Sequence, residues 1–174
     1  MKLIGRRSVA SVMCWGLGFI NVFVTLGVVA TGLGLLVSTL FPEFGAGLMD
    51  GLTGREKRDM ALAVSERITL MAAFVATVST WWVINRLRRI FLAVNQGDAF
   101  EPANVNRLRA MGLGLMGVQI AAAILTFSAP LAEGRADRDY DINLGAWLGI
   151  LIVFMLAEVF RQGAAMRDDA QMTV

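Results

Sequence analysis

VASVMCWGLGFINVFVTLGVVATGLGLLVSTLF, residues 9–41, decides how the rest of the chain is read. It is an apolar run with no charged residue in it. About 20 such residues suffice for a helix to cross the hydrocarbon of a bilayer. Lys2, Arg6 and Arg7 precede it, as in a secretion signal. A signal's apolar core is only about 7–15 residues long, and this run is about twice that, which predicts an uncleaved first span. Asn21, Thr25 and Thr31 are polar points along it. Gly16, Gly18, Gly27, Gly32 and Gly34 leave room for a second helix to approach closely.

Working outward, three further apolar runs follow, at 68–84, 111–130 and 142–160. The whole chain of 174 residues is 56% hydrophobic and only 17% charged, with a mean hydropathy of +0.62. Soluble domains run near 45–50% apolar and about 25% charged. The expected fold is therefore all-α: an integral membrane four-helix bundle forming one domain over residues 1–174, with spans at about 9–41, 68–84, 111–130 and 142–160.

The connections are punctuated by turn and cap residues. Pro42 and Glu43 end the first helix, and the glycine-rich stretch to Gly54 reads as a turn. Thr53 and Glu56 have the spacing of a capping box that opens the second helix. That helix continues past its apolar part, because Ile84, Leu87, Phe91 and Val94 recur at helical spacing among Arg86, Arg88 and Arg89. Gly97 supplies its stop. Pro102 suits the first turn of the third helix, where a missing N–H costs nothing. The third helix leaves the bilayer near Pro130.

Orientation follows from the basic residues. Lys2, Arg6, Arg7, Arg86, Arg88, Arg89, Arg107, Arg109, Arg161 and Arg167 fall on one side. Arg55, Lys57, Arg58, Arg67, Arg135 and Arg138 fall on the other, among most of the acids. Basic residues concentrate on the cytoplasmic side, so both termini are expected there, with the second and third helices extending into the cytoplasm. Trp15, Trp81 and Trp82 fall near the inner interface, and Tyr140 and Trp147 near the outer one. The pI of 9.2 reflects this inner-face charge and not direct nucleic-acid binding.

Several strings imitate chemistry. Gly112, Gly114 and Gly117 match G-x-G-x-x-G, but no strand precedes them and no acid follows about 20 positions on, as a dinucleotide site needs. Helix packing explains them. Gly145 and Gly149 mark a seam, either within the bundle or with a second copy in a homo-oligomer. Asp137, Asp139 and Asp141 alternate like calcium ligands without the glycine and distal glutamate of that loop, so no metal is expected. Cys14 has no partner cysteine, and there is no histidine. No catalytic constellation and no cofactor site stand out.

Three polar residues lie at membrane depth: Asn21, Gln119 and Glu158. An ionised carboxylate there must be paired, and Arg161 and Arg107 are the partners in reach for Glu158. Asn21 and Gln119 read as interhelical hydrogen bonders.

Two stretches together resemble a bacterial four-span family catalogued as domain of unknown function 2975. One is NQGDAFEPANVNRLRAMG, residues 95–112. The other is LAEVFRQG, residues 156–163, with Asp168, Asp169 and the terminal Thr173 and Val174. The first half of the chain resembles it in hydropathy. The family's recurrent features fall on Gly97, Phe100, Asn104, Arg107, Glu158, Phe160 and Gly163. The tail at 167–171 carries less acid than that family's. Such proteins are often encoded beside a small helix-turn-helix regulator, so the resemblance implies a membrane partner for it. A buried Phe100 would pin the ends of the second and third helices, and Arg107 would meet Glu158 across the bundle.

The leading expectation is a non-enzymatic bacterial inner-membrane protein, in contact with lipid, whose cytoplasmic face sequesters that regulator. The alternatives are a small oligomeric transporter or channel, with Glu158, Gln119 and Asn21 lining a path, and an accessory subunit of a membrane complex.

Overall fold

The computed structural model describes residues 9–53, 60–98, 100–133 and 143–172. They form five helices: α1 Val9–Leu40, α2 Pro42–Thr53, α3 Met60–Asn95, α4 Pro102–Glu133 and α5 Leu144–Met172. No strand occurs among the described residues. Four stretches are long and apolar enough to cross a membrane: Ser11–Leu40, Val64–Asn95, Pro102–Phe127 and Leu144–Arg167. Their surfaces agree with that reading. Trp15 is 77% exposed, and Phe19, Phe23, Leu26, Leu148, Leu151 and Met155 are exposed with it. Water does not tolerate so much apolar surface, whereas hydrocarbon solvates it and leaves the backbone bonded within each helix. This is the architecture of a multi-pass membrane protein.

The glycine-rich stretch after Pro42 is helix α2 and not the expected turn. Pro42 cannot donate to the last turn of α1, yet its preset φ suits the first position of a new helix. Glu43 in that first turn opposes the positive end of the helix dipole. The Phe41 carbonyl accepts the Gly45 amide at 2.9 Å. A Cβ on Gly45 would sit 2.9 Å from Ser38 Cα, so the close start of α2 requires glycine there. The Thr53–Glu56 capping box lies outside the described residues. Helix α4 runs through Pro130 to Glu133, beyond the exit read from the sequence.

The chain divides into two compact units, one of Met1–Val24, Ser79–Met116 and Asn143–Val174, the other of Thr25–Val78 and Gly117–Ile142. The first has a core of Ile90, Leu108, Met111 and Ala157, with Val83, Leu87, Val94, Val153 and Phe160 packed on it. Gly112 and Gly114, two of the glycines that imitate a dinucleotide motif, are notches in this unit. A Cβ on Gly112 would come within 2.7 Å of the Phe154 ring, and one on Gly114 within 2.7 Å of Val83. Asn21 joins α1 to α3 here, its Oδ1 accepting from Asn85 Nδ2 at 3.3 Å.

In the second unit α1 and α3 meet along small residues. A Cβ on Gly27 would stand 3.7 Å from Thr77, one on Gly32 3.2 Å from the Phe74 ring and one on Gly34 3.6 Å from Leu70. The Thr31 and Thr77 hydroxyls lie 3.1 Å apart. Each oxygen also lies within reach of a carbonyl of its own helix, 2.8 Å for Thr31 and 3.0 Å for Thr77, so one hydroxyl donates across to the other while the second donates back. Close packing with polar cross-links is how helices associate where no hydrophobic force separates them from lipid.

Candidate functional site

The residues that carried the family resemblance converge where α3, α4 and α5 end or begin. Helix α3 stops at Gly97, whose φ of 89° is open to glycine and strained for other residues. The Gly97 amide donates to the Val94 carbonyl and the Asp98 amide to the Ala93 carbonyl, both at 3.0 Å. This pair of bonds closes the helix as a Schellman motif and throws the chain outward. Pro102 restarts it as α4, and the Glu101 carbonyl accepts the Asn104 amide at 2.8 Å.

Between those two points Phe100 turns onto α5. Its ring lies 5.3 Å from that of Phe160, tilted by 44°. A Cβ on Gly163 would fall 2.7 Å from the Phe100 ring, so the ring occupies the space that glycine leaves. The sequence reading expected a buried Phe100, and the structure corrects this. Phe100 is 43% exposed, because one face rests on α5 and the other is open. A second fastening lies beside it, where the Arg167 guanidinium donates to the Asp98 carboxylate.

Asn104 is fully buried, at 0% exposure. Its Oδ1 accepts from Arg107 at 2.7 Å, and the same nitrogen donates to Glu101 at 2.8 Å. The partner of Arg107 is therefore Glu101, and the expected bridge to Glu158 does not form. Glu101 stands at the start of the same helix, so the pair closes almost no loop. Reaching across to another helix would cost more ordering. Glu158 is served locally as well. Arg161 Nε donates to its two oxygens at 3.0 and 2.9 Å, and Gln162 adds a longer bond of 3.4 Å.

The structure thus gathers Gly97, Phe100, Phe160 and Gly163 into one latch, with the Asn104–Arg107 network at the foot of α4. Glu158 stands outside both. Asp169 is exposed, and the side chain of Asp168 lies outside the description. Gln119 is half-buried in α4 and has no hydrogen-bond partner among the described residues. No three His, Cys, Asp or Glu side chains gather as metal ligands among the described residues. The Asp137, Asp139 and Asp141 loop falls outside them.

Sequence reading missed Glu101, Asn85 and the pairing of Asp98 with Arg167. Asn85 carried a usable signal, since polar residues within two apolar helices tend to find each other. Glu101 carried one too, being the acid nearest Arg107 along the chain. The Asp98–Arg167 pair joins residues 69 apart and had no local signal.

A family model described as "Protein of unknown function (DUF2975)" matches residues 53–174, which include the latch and the buried network. No curated protein and no solved structure matches the chain.

Proposed function

The chain belongs to the family described as protein of unknown function (DUF2975), and from that premise we propose that it is a non-enzymatic protein of the bacterial inner membrane whose cytoplasmic face holds a small helix-turn-helix transcription regulator. Both termini and the α3–α4 connection lie in the cytoplasm on this reading, where the basic residues concentrate. The observation that carries it is the fastening of that connection to α5 by Phe100 on Gly163 and by Asp98 on Arg167. A connection held at two points is a preorganised surface, and preorganisation lowers the ordering cost of binding a partner. The half-open ring of Phe100 and the last turns of α5 form its edge.

The permeation alternative has less support. Asn21 is bonded to Asn85 and Glu158 to Arg161, so two of its three polar groups already have partners.

Affinity capture of the full-length protein from its native cells, with mass spectrometry, tests the proposal. A small helix-turn-helix protein should co-purify. It should be lost from Phe100→Ala and from a chain truncated after Gly163, while both variants stay in the membrane fraction. If membrane-inserted variants of unchanged thermal stability retain the regulator, or if no such regulator is captured by the intact protein, the proposal fails.

A further inference from the structure

Arg88 takes no part in the latch, yet its side chain is placed with some care. It lies across α1 at Gly18, with its Cζ 3.8 Å and a terminal nitrogen 3.9 Å from where a Cβ would stand. A Cβ at position 18 would make ordinary van der Waals contact with the guanidinium. Among the described arginines, Arg86 sits 4.3 Å over the Trp82 ring, and Arg107 and Arg167 are paired with acids, while Arg88 lines a cleft with aromatic side chains. The Arg88 guanidinium makes no hydrogen bond or ion pair with any described residue.

Beside it opens a cleft of about 310 Å³ lined by Cys14, Trp15, Gly18, Phe19, Val22 and Arg88. Trp15 and Phe19 stack along one wall with ring centroids 6.3 Å apart. The lining is graded. The Arg88 cation lies at the level of Gly18, the Trp15 indole with its N–H donor stands on the N-terminal side of it, and Phe19 and Val22 continue into the apolar stretch Ser11–Leu40. Tryptophan and arginine side by side mark the level of lipid headgroups, and the planar guanidinium fork matches phosphate oxygens.

We propose that this cleft binds the headgroup phosphate of an anionic phospholipid on Arg88, with Trp15 beside the headgroup and Phe19 and Val22 against the first acyl carbons. Charge complementarity selects the occupant. A guanidinium with no partner among the described residues, set at an apolar wall, attracts an anion that carries its own apolar tail, and a zwitterionic headgroup offsets the attraction with its own cation. This site is separate from the latch and independent of the regulator.

Native mass spectrometry of the full-length protein, titrated with phosphatidylglycerol or with phosphatidylcholine of the same chains, tests it. The unaltered protein should retain phosphatidylglycerol about fivefold more strongly, which is what ~1 kcal/mol per basic residue at an anionic surface provides. Arg88→Gln should reduce that preference to near unity, and Gly18→Leu should do the same by filling the cleft while keeping the charge. Arg109→Gln, which removes an exposed arginine of α4 outside the cleft, should leave the preference in place. Equal retention of the two lipids by the unaltered protein, or an unchanged preference in Arg88→Gln, overturns the site. So does displacement of the bound lipid by millimolar inorganic phosphate, which would assign Arg88 to a free anion.

Discussion

The two ends of α5 carry the same kind of residue and meet opposite surroundings. Near its start, a Cβ on Gly149 would touch nothing within 4 Å, and one on Gly145 would meet only Asn143 of the preceding turn. Near its end, a Cβ on Gly163 would collide with the Phe100 ring. Gly145 and Gly149 have the spacing of a helix–helix seam, yet that seam has no partner among the described residues of this chain. Gly163 stands in no such motif and is the glycine that is filled. A glycine pattern on a helix states that close approach is permitted. Whether anything approaches depends on which face the helix turns inward.

The contrast breaks most readily at Gly163. Gly163→Leu should displace Phe100 from α5 and cost ~2–3 kcal/mol, at the upper end for overpacked sites, read as a lower melting temperature in detergent. Gly149→Leu should leave the melting temperature unchanged or raise it slightly, since leucine favours the helix and meets no obstacle. Equal losses in both variants would mean that the two ends of α5 are packed alike.

A smaller effect belongs to the buried network at the foot of α4. Asn104→Leu removes the acceptor for Arg107 and should cost ~1–2 kcal/mol, with Glu101→Gln adding less on top because the two share one guanidinium. An Asn104→Leu protein as stable as the parent would show that the network contributes nothing to the fastened end. The smallest effect is expected at Glu158. Glu158→Gln should leave the melting temperature where it was, because the carboxylate is exposed and its partners are neighbours on the same helix. A large loss there would restore Glu158 as a clamp between helices.

Much of this architecture was legible in the residues themselves. The apolar runs announced four helices long enough to span a bilayer, Gly97 announced the end of α3, and Pro102 announced the start of α4. What misled was reading Pro42 and its glycines as a turn. Pro42 both ends one helix and begins the next, and no single-residue propensity distinguishes those uses. The expected Arg107–Glu158 bridge misled for another reason. Opposite charges on two helices suggest a bridge, but each side chain found a partner along its own helix first.

Hydropathy summed over about 20 residues is a local quantity, so sequence alone determined that this chain is helical and where it is apolar enough to cross a membrane. The rotation of each helix about its axis is not local. It set Phe100 on Gly163, left Gly149 open, joined Asp98 to Arg167 across 69 residues and laid Arg88 over Gly18. Those contacts arise only once the helices pack and each glycine gap is offered to whichever side chain faces it, and the tertiary structure alone decided them.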